Sequence, residues 1–95
     1  MNDDARYYYL RQLLHEWPAW GTLERAASVV RLRNEGYSLR KLAKVAGCTE
    51  GTIRNYEILG RVPPAAKQIL YDGRISMRRL VQLAREAQKR RKREE

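Results

Sequence analysis

Apolar residues recur every three or four positions along most of this chain, the spacing of amphipathic α-helices. The first stripe and its flanking residues comprise Tyr7, Leu10, Leu14 and Trp17, with Tyr8, Tyr9 and Leu13. We expect Asp3 or Asp4 to cap this first helix, which should run to about Glu16. A Trp-Pro-Ala-Trp-Gly stretch follows, in which Pro18 and Gly21 break the pattern.

A second helix is predicted from a Thr22 cap to about Asn34, and Gly36 should adopt the left-handed conformation that ends it. One face of this helix carries Leu23, Ala26, Ala27 and Val30. Ser38 should cap a third helix, Leu39–Ala46, and Thr49 a fourth, 50–59.

Gly60 and the Val-Pro-Pro sequence after it should stop the fourth helix, and Pro64 suits the first turn of a short fifth helix, 65–71. A turn at Asp72 and Gly73 precedes Ser76, which should cap the last helix. Its apolar face carries Met77, Leu80, Val81, Ala84 and Ala87. The basic tail that follows Ala87 is either a frayed helical extension or disordered.

Nothing in the sequence alternates with the two-residue period of a strand, so the predicted class is all-α. We expect a compact bundle of five or six helices built around a helix-turn-helix. The predicted organisation is an aromatic N-terminal helix (1–20), a helical domain that contains the helix-turn-helix (21–87) and a basic tail (88–95).

The net charge of the chain indicates which kinds of partner it could bind. The chain has 95 residues, a formal net charge of +9 and a pI of about 10.2, which favours polyanionic partners, nucleic acid first. No apolar run reaches the ~20 residues of a membrane span, and the acidic start does not resemble a secretory signal. We therefore expect a cytoplasmic, nucleoid-associated protein without a membrane partner.

The break between the third and fourth helices has the features of a helix-turn-helix. Ala43 is small where the helices would cross, and Gly47 tolerates a left-handed backbone. Cys48 is compact enough to fill the space between them, and Thr49 caps the second helix. The expected core positions of the motif are Leu42, Ala46, Ile53 and Tyr56. A plain helical hairpin would explain the glycine but not the other features together.

In this interpretation the fourth helix enters the DNA major groove. The predicted base-reading residues are Thr49, Glu50, Gly51, Arg54 and Asn55. Arg54 suits guanine O6 and N7, and Asn55 suits adenine N6 and N7. Glu50 either accepts from cytosine N4 or braces Arg54, and Gly51 allows close approach of the backbone. The predicted phosphate contacts are Ser38, Arg40, Lys41, Lys44 and Thr52.

The sequence resembles the DNA-binding segment of ParB-type partition proteins over roughly residues 22–84. The resemblance lies in LAKVAGCTEGTIRN, in the Leu-x-x-Val-Pro-Pro that follows, in the DGRIS turn, and in TLERAASVVRLRNEG before the motif. It implies a DNA-binding helical domain. The nucleotide-binding and dimerisation domains of that family have no counterpart here, so we expect a free-standing DNA reader without CTP binding or clamp sliding.

A weaker resemblance links TIRNYEILGRVPP to the helix-turn-helix of MerR-type activators and excisionases. Those proteins continue with a winged stretch rich in Gly, Tyr and Arg, whereas this chain continues with AAKQILYDGRIS. We favour the ParB-like interpretation, and both imply duplex DNA as partner. The expected role is a bacterial or phage transcriptional regulator, or an accessory protein in partition or in a mobile element.

Aromatic residues are concentrated near the N-terminus, where they cover more than one face of the first helix. The candidates for self-association into a homodimer are therefore Tyr8, Tyr9 and Trp17. Proteins that bind operator DNA through a helix-turn-helix commonly form dimers. The alternative is that these aromatic groups simply complete a small core.

The chemistry of an enzyme is not expected from this sequence. One cysteine and one histidine cannot provide a four-ligand zinc site within the chain, and no catalytic residue, cofactor, metal or small-molecule substrate is predicted. Two alternative functions remain open. One is a helical adaptor that grips a protein partner through the aromatic N-terminus, and the other is RNA binding through the basic tail.

Overall fold

The computed structural model describes the backbone of residues 3–94 and the side chains of residues 5–91. The predicted capping by Asp3 or Asp4 therefore lies outside the described side chains. The helices are α1 (Asp3–Leu13), α2 (Thr22–Asn34), α3 (Leu39–Ala46), α4 (Glu50–Gly60), α5 (Pro64–Tyr71) and α6 (Met77–Glu94), with a 3-10 turn at Trp17–Ala19. The described residues contain no β-strand, which confirms the all-α bundle.

Side-chain caps set the start of three helices, as predicted. The hydroxyls of Ser38, Thr49 and Ser76 accept hydrogen bonds, each 3.1 Å long, from the backbone N–H groups three residues on. The prediction for α2 was wrong by one residue, because Gly21 is the N-cap and Thr22 is already helical. Gly36 has the expected positive φ of 100°.

Several helix ends differ from the prediction. Regular helix in α1 ends at Leu13, three residues before the predicted Glu16, and a 3-10 turn follows. Pro18 accounts for part of this, because it has no N–H to donate to the carbonyl of Leu14. That carbonyl accepts instead from the N–H of Trp17 at 3.0 Å, the three-residue spacing of a 3-10 turn. At the other end of the chain, α6 continues as helix to Glu94, so the tail up to that residue is a helical extension.

The core is assembled around α4, which packs against α2, α3 and α6. Ile53, Leu59 and Tyr56 form its inward face, and the first two are fully buried. The other buried core residues are Leu10, Leu14, Trp17, Ala26, Val29, Leu32, Tyr37, Leu42, Ala43, Leu80 and Val81. Their burial removes apolar surface from water and is the main term that holds the six helices together.

The contact between α2 and α4 is unusually close at Gly60. A Cβ at this position would lie 2.5 Å from Val30 Cγ2 and 2.7 Å from the carbonyl oxygen of Ala26. Gly60 therefore does not stop the helix, as the sequence suggested, but forms its last residue and lets the two backbones meet. This contact also selects the inward face of α2, where Val29 is buried and the predicted Ala27 is exposed.

Trp17 lies in this core rather than on a surface. Only 6% of it is exposed, and its ring meets that of Tyr56 edge to face at a centroid distance of 5.5 Å. Arg25 joins the two, since its guanidinium donates to the Tyr56 hydroxyl and lies 5.1 Å from the Trp17 ring centroid. The predicted role of Trp17 in self-association is wrong, because the ring packs on the inner face of α4.

A polar cluster joins the C-terminal end of α4 to α2. The carboxylate of Glu57 accepts from Arg33 at 3.1 Å and from Arg61 at 3.2 Å. Arg61 also donates to Asn34, and Arg33 donates to the carbonyl of the buried Tyr37. These bonds hold the C-terminal end of α4 against α2.

Candidate nucleic-acid interface

The turn between α3 and α4 has the predicted backbone geometry. Gly47 is left-handed, with φ of 78°, and its N–H and that of Cys48 both donate to the carbonyl of Ala43. Thr49 then starts α4 by accepting from the N–H of Thr52. These local bonds fix the direction in which α4 leaves the turn.

Cys48 is half-buried and packs against the core, as predicted for the residue that fills the turn. Burial raises the pKa of its thiol above the ordinary value of 9.0, and the positive charge of Arg25 opposes that rise. The sulfur is therefore a neutral thiol at neutral pH, which suits a packing role and not that of a nucleophile.

The exposed surface of α4 is confined to its N-terminal half. Glu50, Gly51 and Arg54 are exposed, and every later residue of the helix is buried or half-buried. Glu50 and Arg54 form no ion pair with each other or with any other described residue, so the predicted brace between them is not seen. Arg54 therefore projects from the helix with its donors unpaired.

Asn55 differs from its neighbour, because it lies at the edge of α4 that faces α6. Its side chain is half-buried, and Oδ1 accepts a 2.7 Å hydrogen bond from Nη2 of Arg85. The predicted adenine contact requires the same oxygen. Asn55 is thus close to the exposed surface of α4 but is already engaged by another helix.

Four of the five predicted phosphate-binding residues lie at the start of α3 or α4, and Lys44 lies in the last turn of α3. Arg40 is exposed, whereas Lys41 is half-buried. Lys44 lies over the ring of Tyr7 at 5.5 Å, which directs its ammonium group toward α1. The hydroxyl of Ser38 is used by its cap, and that of Thr52 lies 3.0 Å from Thr49 Oγ1.

The sequence prediction missed a row of polar and basic side chains on α6. Arg78, Gln82, Arg85 and Lys89 line an open groove of about 920 Å³ together with Asn55. Their spacing of four, three and four residues places them on one face of the helix, beside the buried Leu80 and Val81. That spacing was visible in the sequence, but the position of α6 next to α4 was not.

Two of the predicted self-association residues lie on the surface of α1. Tyr8 is 68% exposed and Tyr9 is 47% exposed. Another exposed tyrosine, Tyr71, lies at the end of α5 and is 77% exposed. The described residues thus leave aromatic surface uncovered at two separate places, α1 and α5.

The structure also bears on metal binding and on membrane-spanning helices. No described group of three or more His, Cys, Asp and Glu side chains is arranged to hold a metal ion. No described helix is both long and apolar enough to cross a membrane. Comparisons with known protein families, curated proteins and solved structures gave no match.

Proposed function

We propose that this protein binds double-stranded DNA sequence-specifically, with α3 and α4 as a helix-turn-helix. The observation that carries this proposal is the exposure of α4, which is limited to its N-terminal half and follows a left-handed glycine turn. Helix-turn-helix proteins place the N-terminal residues of the second helix against base edges.

Arg54 is the proposed reader of a guanine. Its side chain is exposed and has no partner among the described residues, so its planar fork of donors is available for O6 and N7. Gly51 lies one turn before it and has no Cβ to hold the helix away from the DNA. Thr49 and Glu50 would complete the reading surface at the start of α4.

Affinity would come mainly from basic side chains around this surface. Arg40 and Lys41 at the start of α3 would contact DNA phosphates, and so would Arg78 and Lys89 from the groove that they line with Asn55. Such contacts release counterions from the DNA. If ~6 phosphates are neutralised, the logarithm of affinity should fall with the logarithm of salt concentration at a slope of about −5.

Selection from random duplex DNA followed by a binding titration tests this proposal. Arg54→Ala should weaken binding to the selected duplex by roughly 1–3 kcal/mol and relax the preference at one position. Arg31→Ala is the matched control, because Arg31 is exposed on α2, the helix that covers the inner side of α4. Equal affinities of Arg54→Ala and the wild type for the selected duplex would refute the assignment of α4 as the helix that contacts the bases.

The same titration separates the alternative functions. A helical adaptor would show no preference among duplexes, and RNA binding through the basic extension of α6 would be lost when the chain is cut after Ala87. Groove reading by α4 should survive that truncation with reduced affinity, because its predicted base contacts precede residue 56.

The resemblance to ParB-type proteins and the basic charge support a role at bacterial or phage DNA, in regulation, partition or mobile-element accessory functions. Self-association through Tyr8 and Tyr9 would allow a dimer to occupy paired half-sites. Analytical ultracentrifugation of Tyr8→Ala and Tyr9→Ala tests this part. A wild type that sediments as a monomer, with variants unchanged, would exclude the dimer.

A further inference from the structure

The hydrogen bond between Arg85 and Asn55 fixes which end of the asparagine amide faces α6. A guanidinium has only donors, so the group that it meets must be the carbonyl oxygen Oδ1. The Nη2–Oδ1 distance is 2.7 Å, a short bond of the charge-assisted kind. The terminal torsion of asparagine is otherwise broad, and this bond restricts it.

The pairing leaves the amino group of Asn55 as the free end. Nδ2 has no hydrogen-bond partner among the described residues, and an amino group can only donate. In the major groove, N7 is an acceptor on both adenine and guanine. The bidentate adenine contact would also need Oδ1, which Arg85 already occupies on one side.

We propose that Arg85 of α6 is a specificity-determining residue that positions Asn55, so that Nδ2 of Asn55 donates to N7 of a purine. This inference rests on the proposed function, because it assigns a reading mode to the same DNA-binding surface. It replaces the adenine preference expected from the sequence with a preference for either purine over a pyrimidine. Arg85 acts through Asn55 and does not itself touch the base.

Two neighbouring basic residues on α6 allow the positioning of Asn55 by Arg85 to be distinguished from a general attraction between positive charge and DNA. Arg78 and Lys89 line the same groove as Arg85 and carry the same charge, but neither forms a hydrogen bond with Asn55. Removing either charge should weaken binding to all duplexes, whereas removing Arg85 should also release the amide of Asn55. Lys89→Ala is therefore the matched control for Arg85→Ala.

The test uses 7-deazapurines, in which a C–H group replaces N7. Each purine of the selected duplex is replaced in turn, and affinities are measured for the wild type and for Asn55→Ala, Arg85→Ala and Lys89→Ala. The wild type should lose about five-fold in affinity at the position read by Asn55, the effect of one hydrogen bond. Asn55→Ala should show no loss there, and Lys89→Ala should show the wild-type loss. Arg85→Ala should show a smaller loss than the wild type, because the amide of Asn55 is no longer held with Nδ2 as its free end.

The guanine proposed for Arg54 serves as an internal reference. Its 7-deaza replacement should weaken all four proteins alike, which shows that Arg85→Ala still folds and still inserts α4. If Arg85→Ala keeps the full five-fold loss at the Asn55 position, the positioning role is wrong and the proposed function stands. If the selection shows that the wild type prefers no duplex sequence, the proposed function itself is refuted before any 7-deazapurine is tested.

Discussion

Replacement of Gly60 by alanine tests the close packing of α4 on α2. In an ordinary helix the change from glycine to alanine stabilises by up to about 1 kcal/mol. Here the new Cβ would lie 2.5 Å from Val30 Cγ2, 2.7 Å from the Ala26 oxygen and 3.1 Å from the Ala26 carbonyl carbon. The last two atoms are backbone, so no side-chain rotation relieves the contact.

Overpacking of this kind costs about 1–3 kcal/mol. Because one of the two contacts below 3.0 Å is to a backbone atom, we expect the upper part of this range, about 2–3 kcal/mol. Less a gain of about 1 kcal/mol in helix propensity, this leaves a predicted net loss of about 1–2 kcal/mol in the free energy of unfolding. In a chain of this size each 1 kcal/mol shifts the melting temperature by about 4–8 °C. Gly60→Ala should therefore melt roughly 5–15 °C below the wild type when unfolding is followed by circular dichroism.

Gly51 provides the matched control on the same helix. Its nearest contact for a Cβ is Thr49 Oγ1 at 3.8 Å, which is ordinary van der Waals distance. Gly51→Ala should accordingly be as stable as the wild type or up to about 1 kcal/mol more stable. A Gly60→Ala variant that melts at or above the wild-type temperature would refute the packing argument.

Four further predictions concern stability, its pH dependence, alkylation and binding. Thr49→Ala should lose about 1 kcal/mol of stability with the cap of α4, measured by urea denaturation; an unchanged midpoint would contradict the capping role. Because burial raises the pKa of the Cys48 thiol, the folded state keeps a proton that the unfolded chain loses near pH 9.0, so the stability that it contributes should be lost as the pH rises above that value. Iodoacetamide should also alkylate Cys48 more slowly in the folded protein than in urea at the same pH, and equal rates would contradict this. Lys41→Ala should weaken binding to all duplexes about equally, with a salt dependence reduced by about one charge, and a selective effect on one sequence would count against phosphate contact.

The sequence predicted helices well where the signal is local. Ser38, Gly47 and Thr49 determine backbone geometry through their own φ values or through hydrogen bonds within three residues. Their roles can therefore be inferred without knowledge of the rest of the fold. The ends of α1 and α4 were less predictable, because they depend on what packs around Trp17 and Gly60.

Contacts between distant segments were not predictable in this way. Trp17 was placed on the apolar stripe of the first helix and was also a candidate for self-association, since nothing local shows that Tyr56 and Arg25 enclose its ring. Asn55 looked like a free base-reading residue, because its partner Arg85 follows thirty residues later. In both cases the missing information was which distant residues surround the side chain.

The central claim is that the exposed N-terminal half of α4 contacts duplex DNA. Amide-resolved NMR of the ¹⁵N-labelled protein, titrated with the selected duplex, tests it most directly. The account predicts that the largest chemical-shift changes fall on Gly51, Arg54 and Asn55, with little change at Arg31. Changes restricted to α1, or to α6 beyond Ala87, with α4 unaffected, would contradict it.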